Sequence, residues 1–145
     1  MKKKKINEAK ITLLAISKNE ALARAYISAF AAQLDPTLDE LADIRCAVSE
    51  AVTNCVVHAY KCQEIPGKIY INARLYSDRT VSIEISDRGC GIEDIEMAMT
   101  PLFTTDSAGE RSGMGFSVMK SFTDSVKVTS KPSGGTRVFM SKKFS

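Results

Sequence analysis

Three short groups of polar residues and glycines have the composition and order of a nucleotide site. Glu50 and Asn54 are four residues apart, so they share one face of a helix. Asp87 ends an alternating apolar run that predicts a strand, and the stretch 87–91 holds two glycines. A second pair of glycines, in 113–115, precedes an apolar helical stretch. This order predicts a helix with a base and a metal ligand, an aspartate that reads a nucleobase, and backbone donors for phosphates.

The helix that holds Glu50 and Asn54 is otherwise rich in alanine, valine and cysteine. Buried charged or amide side chains cost free energy unless they have partners, so these two residues either face solvent or serve a ligand. With His58 they form a polar stripe without lysine or arginine, which favours the ligand. The amide oxygen of Asn54 suits a hard cation such as Mg²⁺, and the carboxylate of Glu50 suits a general base.

The segment that begins at Asp87 fits two interpretations. A carboxylate at a strand end can accept a hydrogen bond from the exocyclic amine of adenine, and Gly89 and Gly91 let the backbone approach a planar ligand. Aspartate and glycine are also common in plain strand-to-helix turns. The segment alone therefore does not decide between a binding loop and an ordinary turn.

The later glycines suggest phosphate binding. Gly113 and Gly115 lie where the backbone N–H groups of a helix start attract anions. Arg111, just before them, could contact a terminal phosphate. The spacing is neither a P-loop nor a dinucleotide fingerprint, so this pair of glycines is weak evidence on its own.

The composition predicts one folded domain. The chain has 145 residues, of which 44% are hydrophobic, enough for a core of its own. The formal net charge of +3 is concentrated in the lysines at 2–5, which argues against a broad nucleic-acid surface. Residues 1–9 are expected to form a flexible basic tail. No apolar stretch is long enough to cross a membrane or to form a signal peptide, so we expect a cytoplasmic protein.

The four cysteines are expected to be reduced thiols in such a protein. Cys55, His58 and Cys62 share a helical face, which leaves zinc binding open. The chain has no Cys-x-x-Cys pair, however, and the inner face of this helix favours small apolar side chains. We therefore expect the cysteines to have packing roles or none.

Hydrophobic periodicity predicts an α+β fold. Ser17 and Glu20 are spaced as a capping box for the first helix, whose buried stripe would include Leu22. Residues 103–113 show no periodicity, which is typical of a loop. The predicted elements are, in order, a strand over 10–16, helices over 17–34 and 38–60, strands over 69–75 and 81–85, helices over 92–99 and 115–122, and strands over 126–128 and 138–140. This order indicates helices on one face of a largely antiparallel sheet.

The order and spacing of these motifs resemble the GHKL ATPase/kinase superfamily. The stretch 50–54 is similar to its N box, Asp87-x-Gly89-x-Gly91 to its G1 box, and 113–115 to its G2 box. Gly135-Thr136 is similar to its terminal Gly-Thr element. The resemblance covers nearly the whole chain. It implies a two-layer α/β sandwich of the Bergerat type with a mostly antiparallel mixed sheet.

The stretches 101–105 and 110–116 narrow the resemblance to the serine kinases of this superfamily that act as anti-sigma factors in endospore-forming bacteria. This implies ATP and Mg²⁺ as cofactors and a homodimer. It also implies two protein partners, a sporulation sigma factor of the sigma F type and an anti-anti-sigma factor phosphorylated on serine. Neither nucleic acid nor a membrane is expected as a direct partner. Two other classes stay open, a nucleotide-gated binding module and a GHKL ATPase, both without kinase activity.

The resemblance also implies roles for matching residues. Glu50 is similar to the catalytic base, Asn54 to the Mg²⁺ ligand, and Asp87 to the residue that reads adenine. Arg111 is similar to the residue that senses the γ-phosphate, and Arg24 to the arginine of the sigma-contact surface. The implied nucleotide site also includes Gly89, Gly91, Thr104, Thr105, Gly113, Gly115 and Thr136.

Overall fold

The described residues form a five-stranded antiparallel sheet that is packed against helices. The computed structural model describes residues 3–61, 65–91, 115–131 and 133–145. The strands are β1 (Lys5–Leu14), β2 (Lys68–Tyr76), β3 (Thr80–Ser86), β4 (Ser125–Lys131) and β5 (Gly135–Lys143). The helices are α1 (Lys18–Ala31), α2 (Leu38–Asn54) and α3 (Gly115–Phe122), with a 3₁₀ turn at Ala32–Leu34 and a π-helical turn at Cys55–Ala59.

The strands lie in the order β1-β2-β3-β5-β4, and each of the four pairings is antiparallel. In the central strands, Ile71 lies opposite Ile85, and Ile83 lies opposite Met140. The predicted α+β class is therefore confirmed. The helix expected over 92–99 and the loop expected over 103–113 lie outside the described residues.

The core lies between one face of this sheet and the helices. Alternate residues of β2 are buried, as the period of two requires, and α2 contributes Ile44, Val48 and Val52. α3 packs against α2, and its Phe116 and Met119 are buried in the core. Among the described residues, no helix is long and apolar enough to cross a membrane.

The first strand begins at Lys5 and not near residue 10. Residues 5–9, which composition assigns to a flexible tail, are strand backbone paired with β2. Glu8 and Arg74 also join the two strands through an ion pair of 2.7 Å. Cross-strand pairing thus extends β1 into this stretch, although its mostly polar side chains do not show the alternation typical of a strand.

The expected capping box at Ser17 is wrong, because the side chain of Ser17 makes no capping hydrogen bond. Glu20 turns toward α2 instead. The expected buried stripe of α1 is also rotated, since Ala23 and Ile27 are buried whereas Leu22 is 47% exposed. The capping box occurs at α2, where Thr37 and Glu40 exchange side-chain and backbone hydrogen bonds.

Candidate functional site

The carboxylate of Asp87 lies just beyond β3, and only 9% of the residue is exposed. Its Oδ1 accepts hydrogen bonds from the backbone N–H groups of Gly89 at 2.9 Å and Thr136 at 3.2 Å. Its Oδ2 accepts a hydrogen bond from the Cys55 thiol, with a sulfur–oxygen distance of 3.6 Å. Burial raises the pKa of Asp87, and these three hydrogen bonds oppose that rise. Because a thiol is a weak donor, Oδ2 keeps the capacity to accept a ligand N–H.

Glycines let the backbone pack closely around Asp87. A Cβ on Gly89 would collide with the carbonyl oxygen of Ala59, which accepts the N–H of Cys90 at 2.7 Å. Gly91 has a φ of 80°, in the left-handed region that favours glycine. A Cβ on Gly135 would collide with the carbonyl oxygen of Asp87. The turn interpretation of 87–91 is therefore incomplete, since this loop is built against two other parts of the chain.

Thr136 lies beside Asp87 at the start of β5. The Asp87 N–H donates to the Thr136 carbonyl at 2.9 Å, in addition to the bond from Thr136 N–H to the carboxylate. The Thr136 hydroxyl is within 2.8 Å of the Ser130 hydroxyl. The structure thus brings together Asp87, Gly89 and Thr136, three of the residues that the sequence proposes for a nucleotide.

The end of α2 meets the same loop. Asn54 is the last residue of α2, and Cys55, the next residue, contacts Asp87. The chain continues through the π-helical turn to Tyr60, whose hydroxyl accepts the N–H of Arg88 at 2.8 Å. The α-helix expected to continue to Tyr60 therefore changes to a π-helical turn after Asn54. Such π turns within helices are frequent at functional sites. The π turn also removes the simple one-turn spacing expected between Asn54 and His58.

Glu50 lies one helical turn before Asn54, and both side chains are partly exposed. No residue in the part of the chain that the structure describes forms an ion pair or a side-chain hydrogen bond with either of them. On the same helix, by contrast, Ser49 and Thr53 are both bonded to Glu20. Glu50 and Asn54 therefore offer free acceptor groups on one face of α2, just before the Cys55 that contacts Asp87, which suits a ligand.

A magnesium ion at Asn54 would need other ligands. Within the described ranges, no group of three or more His, Cys, Asp and Glu side chains is arranged to hold a metal. Mg²⁺ in nucleotide sites is commonly held by one or two protein oxygens, with phosphates and water as its other ligands. The lone amide oxygen of Asn54 fits that pattern.

Gly115 is the first residue of α3, which packs on α2. Thr104, Thr105, Arg111 and Gly113 lie outside the described residues, so their expected roles in phosphate binding stay predictions. Cys46 and Cys55 are free, whereas Cys90 is in a disulfide. The expectation of four reduced thiols is therefore wrong for Cys90.

A polar network that the sequence did not reveal joins α1 to α2. Glu20 Oε1 accepts hydrogen bonds from the hydroxyls of Thr53, at 2.8 Å, and Ser49, at 3.0 Å. Arg24 lies 3.6 Å from the same oxygen and donates to the Ser49 hydroxyl at 3.3 Å. Arg24 also lines a shallow concavity with Arg45. The signal for this network is the pair Ser49 and Thr53, four residues apart and next to Glu50 and Asn54.

Replacing Gly89 with alanine is expected to lower the free energy of unfolding by about 1–3 kcal/mol, as overpacking does. The added Cβ would collide with the backbone carbonyl of Ala59. Because the nearest atoms are all backbone atoms, no flexible side chain could move away to make room. Denaturant titration measures this, with Lys61→Ala as the control because that side chain is exposed. Equal stability of the two variants would contradict the close packing of this loop.

Comparison with known proteins finds relatives that match nearly the full length of this chain. A family model described as a histidine kinase-like ATPase domain matches residues 15–142. The anti-sigma F factor of Caldanaerobacter subterraneus subsp. tengcongensis is 52% identical over 136 residues, which are 94% of this chain and 93% of that protein. The anti-sigma F factor of Clostridium acetobutylicum is 48% identical over 138 residues, which are 95% and 94% of the two chains.

Solved structures show the same fold at low sequence identity. The structure of the RsbU and RsbW domains of Rv1364c from Mycobacterium tuberculosis matches with a TM-score of 0.69 and 22% identity, over 95% of this chain and 32% of that one. The EL346 blue-light activated histidine kinase of Erythrobacter litoralis matches with a TM-score of 0.60 and 18% identity, over 84% of this chain and 42% of that one. These likenesses concern the fold alone.

Proposed function

We infer the function of this chain from its membership: it belongs to the anti-sigma F factor family and carries a histidine kinase-like ATPase domain. It is an anti-sigma factor with a kinase-like fold. We propose that it inhibits a sporulation sigma factor of the sigma F type, and that it uses ATP and Mg²⁺ to phosphorylate an anti-anti-sigma factor on serine. The observation that carries this proposal is the meeting of Asp87, Thr136 and the end of α2.

Adenine recognition is assigned to Asp87. Its Oδ1 is held by two backbone donors, so Oδ2 is the oxygen that would accept the exocyclic amine of adenine. Gly89 and Gly91 would let the ring approach the backbone, and Thr136 would line the same position. This assignment is supported by the two backbone hydrogen bonds to Oδ1, which leave Oδ2 with a thiol as its donor from the described residues.

Phosphate binding is assigned to Asn54 and to residues between positions 104 and 115. Asn54 would hold Mg²⁺, which when bound would offset the negative charge of the phosphates. Gly115 would contribute backbone N–H groups at the start of α3. Thr104, Thr105, Arg111 and Gly113 are proposed to complete the phosphate contacts, on the strength of the sequence motifs.

Proton transfer is assigned to Glu50. Its carboxylate has no partner among the described residues and lies one turn from Asn54, on the same face of α2. We propose that it accepts the proton of the attacking serine hydroxyl. Positioning and charge stabilisation would supply most of the remaining rate acceleration, as in other phosphoryl transfers.

Incubation with [γ-³²P]ATP and an anti-anti-sigma factor tests the proposal. We expect label on one serine of that partner and none when its acceptor serine is replaced by alanine. Free phosphate without labelled partner would indicate an ATPase. ATP binding without either product would indicate a nucleotide-gated binding module.

We also propose a homodimer that acts in the cytoplasm, as the sequence leads us to expect. Light scattering of the purified protein measures its mass in solution. A mass of one chain at the concentration used for sigma binding would contradict the dimer.

Arg24 is the proposed sigma contact, and replacing it with alanine is expected to weaken sigma binding by about 2 kcal/mol, or about 30-fold. Its guanidinium is partly exposed on α1, held by Glu20 and Ser49. ATP affinity should stay nearly unchanged, because the partners of Arg24 are Glu20 and Ser49 and not the proposed nucleotide residues.

Titration of a fluorescently labelled sigma factor measures the effect of Arg24→Ala. Lys18→Ala is the matched control, since it removes one exposed positive charge from the same helix. Equal sigma affinities of the two variants would show that charge alone, and not the Arg24 contact, is responsible.

A further inference from the structure

Cys55 occupies a special place beside the candidate adenine site. It is the first residue of the π-helical turn, directly after Asn54, and only 3% of it is exposed. Its sulfur lies 3.6 Å from Oδ2 of Asp87. Since Gly89 and Thr136 both bind Oδ1, the thiol is the donor that reaches Oδ2 from the described part of the chain.

We propose that Cys55 is a positioning residue for adenine recognition, whose thiol donates to Oδ2 of Asp87 and holds that oxygen toward the bound base. This inference rests on the proposed nucleotide site. It revises the expectation that the cysteines have only packing roles.

The physical argument concerns how a buried carboxylate is oriented. The terminal torsion of an aspartate is broad, so bonds to one oxygen leave the plane of the group loosely defined. The Cys55 thiol, which comes from the end of α2, donates to the second oxygen and so restricts the orientation of the carboxylate plane. The thiol is also weak enough to leave Oδ2 free to accept a stronger ligand N–H. A hydroxyl could replace this donor, whereas a methyl group could not.

The protonation of the two groups is consistent with this role. Burial raises the pKa of the Cys55 thiol, and the adjacent Asp87 charge and the hydrogen bond raise it further. In the geometry at 3.6 Å the thiol is the donor, because an ionised carboxylate can only accept. The same bond lowers the pKa of Asp87, against the larger effect of burial.

The first test compares two ligands by calorimetry, ATP and the triphosphate of purine riboside, which lacks the exocyclic amine. We expect Cys55→Ala to bind ATP about three- to tenfold more weakly, the effect of one modest hydrogen bond, with a smaller loss for the purine analogue. Cys55→Ser should restore most of the discrimination, because it keeps a donor. Cys46→Ala is the control, since that thiol is free and exposed on the same helix.

The second test follows the pH dependence of ATP binding. The acid side of the binding curve should move to higher pH in Cys55→Ala, because the charged form of Asp87 loses a donor. Cys55→Ser should move it back. A side chain that only fills space would change stability without moving this curve. If the alanine variant does not fold, Cys55→Val tests the same loss of a donor with the volume retained.

The outcomes separate the two proposals. A wild-type protein without affinity for ATP would overturn the nucleotide site and the role of Cys55 with it. A wild-type protein that prefers ATP to the purine analogue, with the same preference and the same pH curve in Cys55→Ala, would overturn the role of Cys55 alone. Identical behaviour of the alanine and serine variants would also overturn it.

Discussion

Replacing Glu50 with alanine is expected to lower the rate of serine phosphorylation by about 10²–10⁴-fold, the usual effect of losing a general base. ATP binding should persist, because the hydrogen bonds that hold Asp87 come from Cys55, Gly89 and Thr136 and do not involve Glu50. The fold should also persist. The Glu50 side chain is partly exposed and has no ion pair within the described residues, and the buried seam of α2 consists of other side chains.

A quenched assay with [γ-³²P]ATP at saturating nucleotide measures this rate. Glu50→Gln is the matched variant, since it keeps the shape of the side chain and removes its basicity, and it should lose as much activity as the alanine variant. ATP affinity measured on the same preparations separates chemistry from binding. Phosphorylation near the wild-type rate in either variant would show that Glu50 is not the base.

Replacing Asp87 with asparagine is expected to have the largest effect on nucleotide binding. Asparagine keeps an oxygen for the N–H groups of Gly89 and Thr136 but presents an NH₂ group where Oδ2 would accept the amine of adenine. An unmet buried polar contact costs about 1–3 kcal/mol, which corresponds to a loss in ATP affinity of about 5- to 150-fold.

The same substitution is not expected to destabilise the protein at neutral pH. Burial raises the pKa of Asp87 in the folded state, so the folded protein binds this proton more readily than the unfolded chain does. The free energy of unfolding therefore falls as pH rises from the ordinary aspartate pKa through the folded value. Asparagine removes that fall because it carries no charge at any pH.

Calorimetric titration with ATP and denaturant unfolding at several pH values measure the two effects of Asp87→Asn. Asp124→Asn is the control, an aspartate at the exposed end of β4 that bonds the backbone of Lys143. Unchanged ATP affinity in a folded Asp87→Asn variant would exclude the adenine-reading role. A variant less stable than the wild type at neutral pH would show that the charged hydrogen bonds outweigh the cost of burial.

Patterns between near neighbours in the chain are enough to predict most of the elements. The alternation in β2 and β3 predicts both strands, and in β2 it also predicts the buried face, because the side chains of a strand alternate regardless of its partners. The helical spacing of Ile44, Val48 and Val52 predicts the buried seam of α2 in the same way. The spacing of Glu50 and Asn54 likewise places both on one face before any tertiary contact is known.

Contacts between distant residues decide the rest. Asp87 meets Cys55 across 32 positions and Thr136 across 49, and no local pattern encodes which donors reach which oxygen. Glu20 has the spacing of a cap, yet it bonds to Thr53 across 33 positions, since two hydroxyls on a packed helix satisfy a partly buried carboxylate better than one cap does. The motifs of this chain thus name the candidate site residues, whereas packing alone determines how the carboxylate at their centre is held.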